Sequence, residues 1–196
     1  MLVQLTKNLN SLNFRMSKLL SKPLKRLEEV PRELSCFPLG TVFAGNRTIR
    51  RFLEDAKYFT GMTGLSSNAF EYSSIEYARF PFVTSCGTNG GANYCIFGSC
   101  ASICGVMFDK ITFIGGSYNY NARSEMYTVI TTQSVPSTSG RWFYAKFYVL
   151  DNLVDLYKAD SGWSRVINNI KPLSQLPTDY PDCPWLDDLR EKGLLT

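Results

Sequence analysis

The stretch RWFYAKFYVL, residues Arg141–Leu150, carries the clearest strand signal in this chain. Its side chains alternate between two rows, Trp142, Tyr144, Lys146 and Tyr148 against Phe143, Ala145, Phe147 and Val149. Aromatic and β-branched side chains favour an extended backbone because they fit a pleated, half-buried surface. The pattern therefore predicts a strand in the core of a β-rich domain.

Weaker strand signals occur along the residues that precede this stretch. The segments are 41–44, 70–79, 94–97, 103–108, 110–115 and 125–134. With residues 141–150 they make six or seven short strands, and no fixed sequence repeat relates them. Short strands at close spacing are typical of sandwiches and barrels. We therefore expect a mainly β fold, an antiparallel sandwich that is jelly-roll-like.

The segments on either side of this domain have different patterns. Residues 2–21 have the apolar spacing of an amphipathic helix, and Pro23 interrupts it because proline lacks a backbone N–H. Four prolines between residues 172 and 184 predict an extended arm. The expected organisation is an N-terminal amphipathic helix and linker (1–40), a β-sandwich domain (41–150) and a C-terminal extension or arm (151–196).

Both flanking segments are expected to bind partners. The apolar side chains of the N-terminal helix recur every three or four residues, so they share one face. A lone helix would expose that face, and burial of each leucine contributes roughly 1.5–3 kcal/mol. In the arm we expect a tryptophan–leucine anchor, because tryptophan is enriched among residues that dominate interface energies. The predicted partner-binding residues are Leu5, Leu9, Leu12, Met16, Leu19, Trp185 and Leu186.

Positive charge is concentrated in the same N-terminal segment. Residues 1–27 contain six basic and no acidic side chains, whereas the rest of the chain contains 15 basic and 17 acidic ones. A uniformly basic nucleic-acid-binding surface is therefore not expected. No apolar run reaches the roughly 18 residues that a membrane-spanning helix needs. Contact with RNA phosphate or with an acidic partner is predicted for Lys18, Lys22, Lys25 and Arg26.

No enzymatic site is recognised in the sequence. The chain has no histidine, which removes the commonest general base and the histidine-paired nucleophiles. Four cysteines could together ligate zinc, Cys86, Cys95, Cys100 and Cys104. Their spacing lacks the paired Cys-x2-Cys of recognised zinc sites, so thiols packed within a sheet are the favoured interpretation. We expect neither enzyme activity nor a metal or cofactor.

Aromatic residues offer a further binding hypothesis. Stacking on sugars or bases is one use for Tyr118, Tyr120, Tyr127, Trp142, Tyr144 and Tyr148. The favoured interpretation is that they fill a sheet-on-sheet core and its rim, because several alternate with apolar neighbours on one strand. Dispersed carboxylates such as Glu71, Glu76, Asp109 and Glu125 show no pairing that would indicate a glycosidase.

Two stretches resemble the jelly-roll coat proteins of small icosahedral RNA viruses. Residues Phe70–Phe82, with the Thr/Gly-rich loop and Ala92–Gly98, are similar to the second and third strands of that fold. Residues Thr138–Asp151 are similar to its last strand, which follows a turn of small residues. A basic N-terminal arm also belongs to that family's pattern. The resemblance implies a capsid protein located in the virion.

Three functions therefore stand as expectations. The first is a structural subunit of a large assembly, a viral capsid protein, whose partners are copies of itself or other subunits and whose N-terminal segment contacts RNA. The second is an accessory subunit of a mitochondrial membrane complex, because residues 1–27 also have the basic, acid-free composition of a presequence. The third is a carbohydrate-binding or enzymatic β-sandwich that uses the tyrosine-rich face.

Overall fold

The computed structural model describes residues 51–52, 63–65, 70, 75–87, 96–115, 125–139 and 145–196, with residues 51–52 as backbone only. The strands of the described part are β1 (Arg51–Phe52), β2 (Gly64–Leu65), β3 (Tyr77–Phe80), β4 (Ser85–Cys86), β5 (Gly105–Phe108), β6 (Phe113–Ile114), β7 (Tyr127–Ile130), β8 (Ser137–Thr138), β9 (Lys146–Val149) and β10 (Ile170–Pro172). Its α-helices are α1 (Val154–Ala159), α2 (Leu176–Asp179) and α3 (Leu186–Glu191), and 3-10 helices span Asp151–Leu153, Ser161–Asn169 and Leu173–Gln175.

The strands form two sheets in which every described pair is parallel. The large sheet has the order β1-β3-β5-β7-β9-β10, and the small sheet has the order β2-β4-β6-β8. From β1 to β9 the chain alternates between the two sheets, so each turn of the chain contributes one strand to each. The described strands thus wind as a parallel solenoid, and each coil pairs with the coils before and after it.

The predicted antiparallel, jelly-roll-like sandwich is therefore wrong. The short alternating segments are real strands, but alternation reports which face a side chain occupies and carries no information about strand direction. The repeat was also hidden, because the strands β1, β3, β5, β7 and β9 begin 26, 28, 22 and 19 residues apart. Coils of unequal length leave no fixed period for a sequence comparison to detect.

Side chains from one face of the large sheet fill the interior of the solenoid, and they form rows that run across neighbouring strands. Ala78, Val106, Thr128 and Phe147 align across four strands, and a second row aligns two residues further along each strand. The second row is Phe80, Phe108, Ile130 and Val149. All eight are buried, and the rings of Phe80 and Phe108 stack with centroids 5.4 Å apart. Every residue of β5 and β7 is buried, as expected for parallel strands that are covered on both faces.

The corner between the two sheets is held by hydroxyl groups that connect successive coils. The Thr84 hydroxyl donates to the Thr63 carbonyl at 3.1 Å, and the Thr112 hydroxyl donates to the Thr84 carbonyl at 2.9 Å. The Ser137 hydroxyl donates to the Thr112 carbonyl at 3.3 Å. A short polar side chain at this corner therefore satisfies one carbonyl of the preceding coil, in addition to the backbone bonds of the sheet.

Residues 151–196, here called the capping segment, close the last coil. Strand β10 adds to β9 in parallel and forms the edge of the large sheet. Trp163 is fully buried, its indole N–H donates to the Pro136 carbonyl at 2.9 Å, and its ring meets Phe147 edge-on at 5.2 Å. Solenoids need such caps because a terminal coil otherwise exposes its apolar interior and an unpaired strand edge.

The predicted extended C-terminal arm is wrong as well. The prolines stand where proline fits folded structure. Pro177 lies in the first turn of α2, where its missing N–H costs little, and Pro172 ends the edge strand β10. The N-terminal amphipathic helix of the expected fold lies outside the described residues. No helix within the described ranges is long and apolar enough to cross a membrane.

Candidate functional site

The outer face of the large sheet carries a row of residues that the capping segment covers. Tyr77, Gly105, Tyr127 and Lys146 align across β3, β5, β7 and β9. Gly105 leaves room for the Tyr127 ring, because a Cβ at Gly105 would lie 2.6 Å from that ring. Glycine within a strand often marks such a close approach. The Tyr127 side chain consequently lies across the neighbouring strand, towards Tyr77.

An aromatic cluster joins the capping segment to this row. Tyr180 packs on Tyr127 with ring centroids 4.2 Å apart, and it meets Tyr148 edge-on at 5.8 Å. Trp185 meets the edges of Tyr77 and Tyr127, each at 6.0 Å. Aromatic pairs in these arrangements contribute about 0.5–1.5 kcal/mol each beyond the burial of their area. The cluster therefore holds residues 180–185 firmly against the sheet.

A cleft of about 260 Å³ remains between the two layers. We call it the tyrosine cleft. Its walls come from three strand regions and one loop of the capping segment, and they are formed by Tyr77, Cys104, Glu125, Tyr127, Asp179, Tyr180, Pro181, Asp182 and Cys183. Among the described residues, the lining contains three carboxylates and no basic side chain. The volume lies below the range of about 300–1,000 Å³ that is usual for small-molecule pockets. It suits one amino-acid side chain or a ligand of similar size.

One wall of the cleft comes from a tyrosine whose hydroxyl is closed off from solvent. Tyr127 is 1% exposed, and its hydroxyl interacts with the thiol of Cys183. Burial, together with the nearby thiols of Cys183 and Cys104, raises the pKa of this phenol far above its usual value. The hydroxyl is therefore neutral and keeps both a proton and an acceptor oxygen.

The carboxylates of the cleft are set in different environments. Asp179 accepts hydrogen bonds from the Tyr148 hydroxyl and from the Gln175 amide. Burial and the adjacent carboxylate of Asp179 raise the pKa of Tyr148 well above its usual value. Glu125 and Asp182 are exposed residues of the lining.

Tyr180 connects the two sides of the mouth. Its hydroxyl donates to the backbone carbonyl of Glu125 at 3.2 Å. The ammonium of Lys146 lies 5.3 Å from the centre of the Tyr180 ring, within the range of a cation–π contact. The ring thus already accepts one cation just outside the lining.

A cluster of charges fastens helix α3 to the same outer face. The Arg79 guanidinium donates two hydrogen bonds to the carboxylate of Asp109, at 3.0 and 3.1 Å. Asp188 of α3 lies 3.0 Å from both Arg79 and Lys192, and Lys192 lies 3.0 Å from Asp109. Four charges that alternate in sign make up this cluster, so each carboxylate meets two cations.

The partner-binding and aromatic residues predicted from the sequence fall into two groups, those that are buried in the domain and those that lie outside the described residues. Trp185 and Leu186 are 2% and 7% exposed and are covered by their own chain. Tyr127 and Tyr148 belong to the aromatic cluster, whereas Tyr118, Tyr120, Trp142 and Tyr144 lie outside the described residues. All the N-terminal candidates also lie outside them, Leu5, Leu9, Leu12, Met16, Leu19, Lys18, Lys22, Lys25 and Arg26.

The proposed cysteine group is dispersed. Cys86 is buried in the small sheet, and burial raises the pKa of its thiol. The Cys100 thiol donates to the Phe70 carbonyl at 2.8 Å, Cys104 lines the tyrosine cleft, and Cys95 lies outside the described ranges. Within the described part no group of three or more cysteine, aspartate or glutamate side chains is arranged to hold a metal ion.

Sequence reasoning did not find the tyrosine cleft. Its walls come from positions about 50 to 100 residues apart, which only the docking of the capping segment brings together. The one local signal was Gly105, a glycine that opens a strand of bulky apolar residues. Such a glycine indicates that another group approaches the strand closely.

The chemistry of the cleft favours binding over nucleophilic reaction. Burial raises the pKa of the Cys183 thiol, although the Tyr127 hydroxyl and the backbone of Trp185 act in the opposite direction. A reactive cysteine needs a lowered pKa, which a neighbouring cation or a helix N-terminus normally supplies. Carboxylate, phenol and carbonyl oxygens instead make an acceptor-rich site. Comparisons with protein-family models, with curated proteins and with solved structures found no match to this chain.

Proposed function

We propose that this protein is a structural subunit that associates with copies of itself or with other subunits, and that the capped solenoid is its rigid binding domain. The observation that carries the proposal is the tyrosine cleft. Its lining includes the exposed acidic residues Glu125 and Asp182 beside aromatic rings, which suits recognition of a positively charged group. Recognition is the function that such an acceptor-rich site supports.

The N-terminal segment supplies the second part of the argument. It has an apolar stripe and six basic side chains, so it needs both an apolar and an acidic surface to contact. The rest of the chain carries a small excess of acidic groups, and the cleft is one place where they converge. A chain that contains both complementary parts is suited to assembly.

The parallel sheets weaken the argument that such an assembly is a virus shell. The expectation of a virus shell rested on a resemblance to jelly-roll coat proteins, and two parallel sheets remove the fold argument for it. The mitochondrial alternative rests on residues 1–27 alone. We therefore propose the assembly role without assigning it to a virion or an organelle.

Carbohydrate binding on tyrosine faces receives little support from the described residues. The Tyr127 ring packs against Tyr180 and lies close over Gly105. The Tyr148 ring is buried beneath Tyr180. A sugar would have to displace the chain's own aromatic contacts to stack there.

The mass of the purified full chain, measured by size-exclusion chromatography with light scattering, tests the proposal. We expect an oligomer, and we expect Leu9→Gln with Leu12→Gln to dissociate it. Loss of two leucines from an interface removes roughly 3–6 kcal/mol, which is a hundredfold or more in the dissociation constant. The matched control is Leu156→Gln, since Leu156 is 58% exposed on α1 and should leave the mass unchanged. A parent chain that stays monomeric at every concentration would refute the proposal.

A further inference from the structure

We propose that Cys104 of the solenoid and Cys183 of the capping segment form a disulfide when the protein reacts with hydrogen peroxide, and that this bond locks the capping segment onto the solenoid. The inference concerns the two thiols of the tyrosine cleft and does not depend on the assembly role proposed above. Both cysteines are reduced in the structure, so the bond would add a covalent link to a boundary that noncovalent contacts hold.

The two thiols line one cleft from opposite layers. Cys104 directly precedes β5, and Cys183 lies in the loop between α2 and α3. The Tyr127 hydroxyl interacts with the Cys183 thiol and, more weakly, with Cys104, so both thiols lie near the same group. A disulfide brings two sulfurs to about 2 Å, and the cleft of about 260 Å³ beside them leaves space for both side chains to turn towards each other.

The exposure of the two thiols assigns them different roles. Cys104 is half-buried and donates a hydrogen bond to the Ser102 carbonyl at 3.4 Å, so a small oxidant can reach its sulfur from the cleft. Cys183 is 6% exposed, and burial raises the pKa of its thiol. Oxidation-sensitive cysteines are accessible and often lie next to a second cysteine that resolves the first product. Cys104 therefore fits the oxidised position and Cys183 the resolving one.

The reaction consumes one peroxide and two thiols. The Cys104 sulfur attacks one peroxide oxygen and becomes a sulfenic acid, while the O–O bond breaks and the other oxygen leaves as water with the thiol proton. The Cys183 sulfur then attacks the sulfenic sulfur, so that the S–S bond forms and the S–O bond breaks to release a second water. The two cysteines together lose two electrons and two protons, and the peroxide is reduced.

The other cysteines of the described part are placed differently. Cys86 is buried in the small sheet, and Cys100 is buried with its thiol donating to the Phe70 carbonyl at 2.8 Å. Neither of them lines the tyrosine cleft. Among the described cysteines, Cys104 and Cys183 are therefore the pair that shares an open space. Cys36 and Cys95 lie outside the described residues, so a bond from Cys104 to either is an outcome of the test.

Peptide mapping by mass spectrometry without reductant tests the bond directly. The reduced full chain, treated with stoichiometric hydrogen peroxide, should yield a peptide pair that joins residues 104 and 183 and that separates on reduction. Cys104→Ser and Cys183→Ser should each abolish this pair. Cys100→Ser is the matched control, because Cys100 lies outside the cleft lining, and it should keep the linked pair.

Thermal unfolding measures what the bond does to the fold. A disulfide between residues 104 and 183 closes a loop of about 80 residues, and such a bond stabilises chiefly by restricting the unfolded chain. Oxidation should therefore raise the thermal midpoint of the parent by roughly 4–16 °C. Cys104→Ser should show no rise, and its half-buried position makes it the variant to rely on if Cys183→Ser does not fold.

The remaining outcomes count against the proposal. A linked peptide that joins Cys104 to Cys36 or Cys95, or that joins two copies of the chain, would overturn the pairing. Oxidation of Cys104 to a sulfenic or sulfinic acid while Cys183 stays a thiol would show that the two sulfurs do not meet. A linked pair that leaves the thermal midpoint unchanged would overturn the lock on the capping segment.

Discussion

At the scale of single residues, two glycines let successive coils of the small sheet approach closely. The Gly87 N–H donates to the Leu65 carbonyl at 2.9 Å, and the Gly115 N–H donates to the Cys86 carbonyl at 2.8 Å. Gly87 has a φ of +72°, and a Cβ there would lie 2.2 Å from the Gly115 carbonyl oxygen. Position 87 therefore requires glycine, because a side chain would strain the backbone and would clash with Gly115.

Replacing Gly87 with alanine should destabilise the fold in two separable ways. The left-handed backbone costs a residue with a Cβ about 1–2 kcal/mol, and the contact with Gly115 adds an overpacking cost of about 1–3 kcal/mol. Gly193 is the matched control, because its φ is +67° and nothing lies within 4 Å of its would-be Cβ. Urea unfolding should show a larger loss for Gly87→Ala than for Gly193→Ala. Equal losses would mean that the coils separate without cost.

At the scale of elements, helix α3 is fastened to the large sheet by charges as well as by apolar contacts. Leu189 of α3 is fully buried, and Gly193 ends the helix with the Leu194 N–H donating to the Leu189 carbonyl at 2.9 Å. Arg79 and Asp109 have side chains that are only 18% and 15% exposed. An ion pair in such a place is costly to break, because the remaining charge keeps little solvent.

The titration of Asp109 should make the docking of α3 sensitive to acid. Burial raises its pKa, but Arg79 and Lys192 together outweigh burial, so the pKa lies below the usual value. A folded-state pKa below the unfolded value of about 3.9 gives stability that is complete above that pH and is lost as the pH falls through the folded pKa.

Asp109→Asn should accordingly reduce the free energy of unfolding at pH 7 by about 1.5–3 kcal/mol, the usual value of hydrogen bonds to charged groups. As the pH falls below about 4, the free energy of unfolding of Asp109→Asn should decrease less than that of the parent. Asp187→Asn is the control, since the Asp187 side chain is 94% exposed and its ion pair among the described residues is with Arg190 at the surface, where such a pair contributes about 0–1 kcal/mol. Parallel pH profiles of unfolding for Asp109→Asn and the parent would contradict the role given to Asp109.

At the scale of the whole molecule, the sequence allowed some features to be predicted and concealed others for physical reasons. The strands near 77–80, 105–108, 127–130 and 146–149 were expected, because alternation of apolar side chains is a local property. Their parallel direction was not, because it depends on where the intervening residues run. Phe147 and Val149, on the inner face of the large sheet, could be anticipated as core, whereas Tyr127 and Tyr148 on its outer face pack against Tyr180 of the capping segment.

The tyrosine cleft illustrates the same limit. Its carboxylate at Glu125 was noticed as a candidate, but its partners Tyr180 and Asp182 stood in a proline-rich stretch that predicted an arm pointing away from the domain. A segment whose prolines lie at a helix N-terminus and at a sheet edge has the same composition as a proline-rich extended arm, so composition alone does not distinguish them. Only the docking of Trp185 on Tyr77 and Tyr127 distinguishes the two.

Trp185→Ala tests whether the capping segment belongs to the domain. Removing a buried tryptophan should lower the free energy of unfolding by about 3–5 kcal/mol, and the thermal midpoint by roughly 6–20 °C for a chain of this length. Trp185→Phe should be milder, because it keeps an aromatic ring and removes an indole N–H that makes no hydrogen bond. Leu156→Ala, at an exposed leucine of the same segment, should change stability by about 0.5 kcal/mol or less. A midpoint for Trp185→Ala that equals the parent's, with weaker association of the chain, would instead assign Trp185 to an interface between copies.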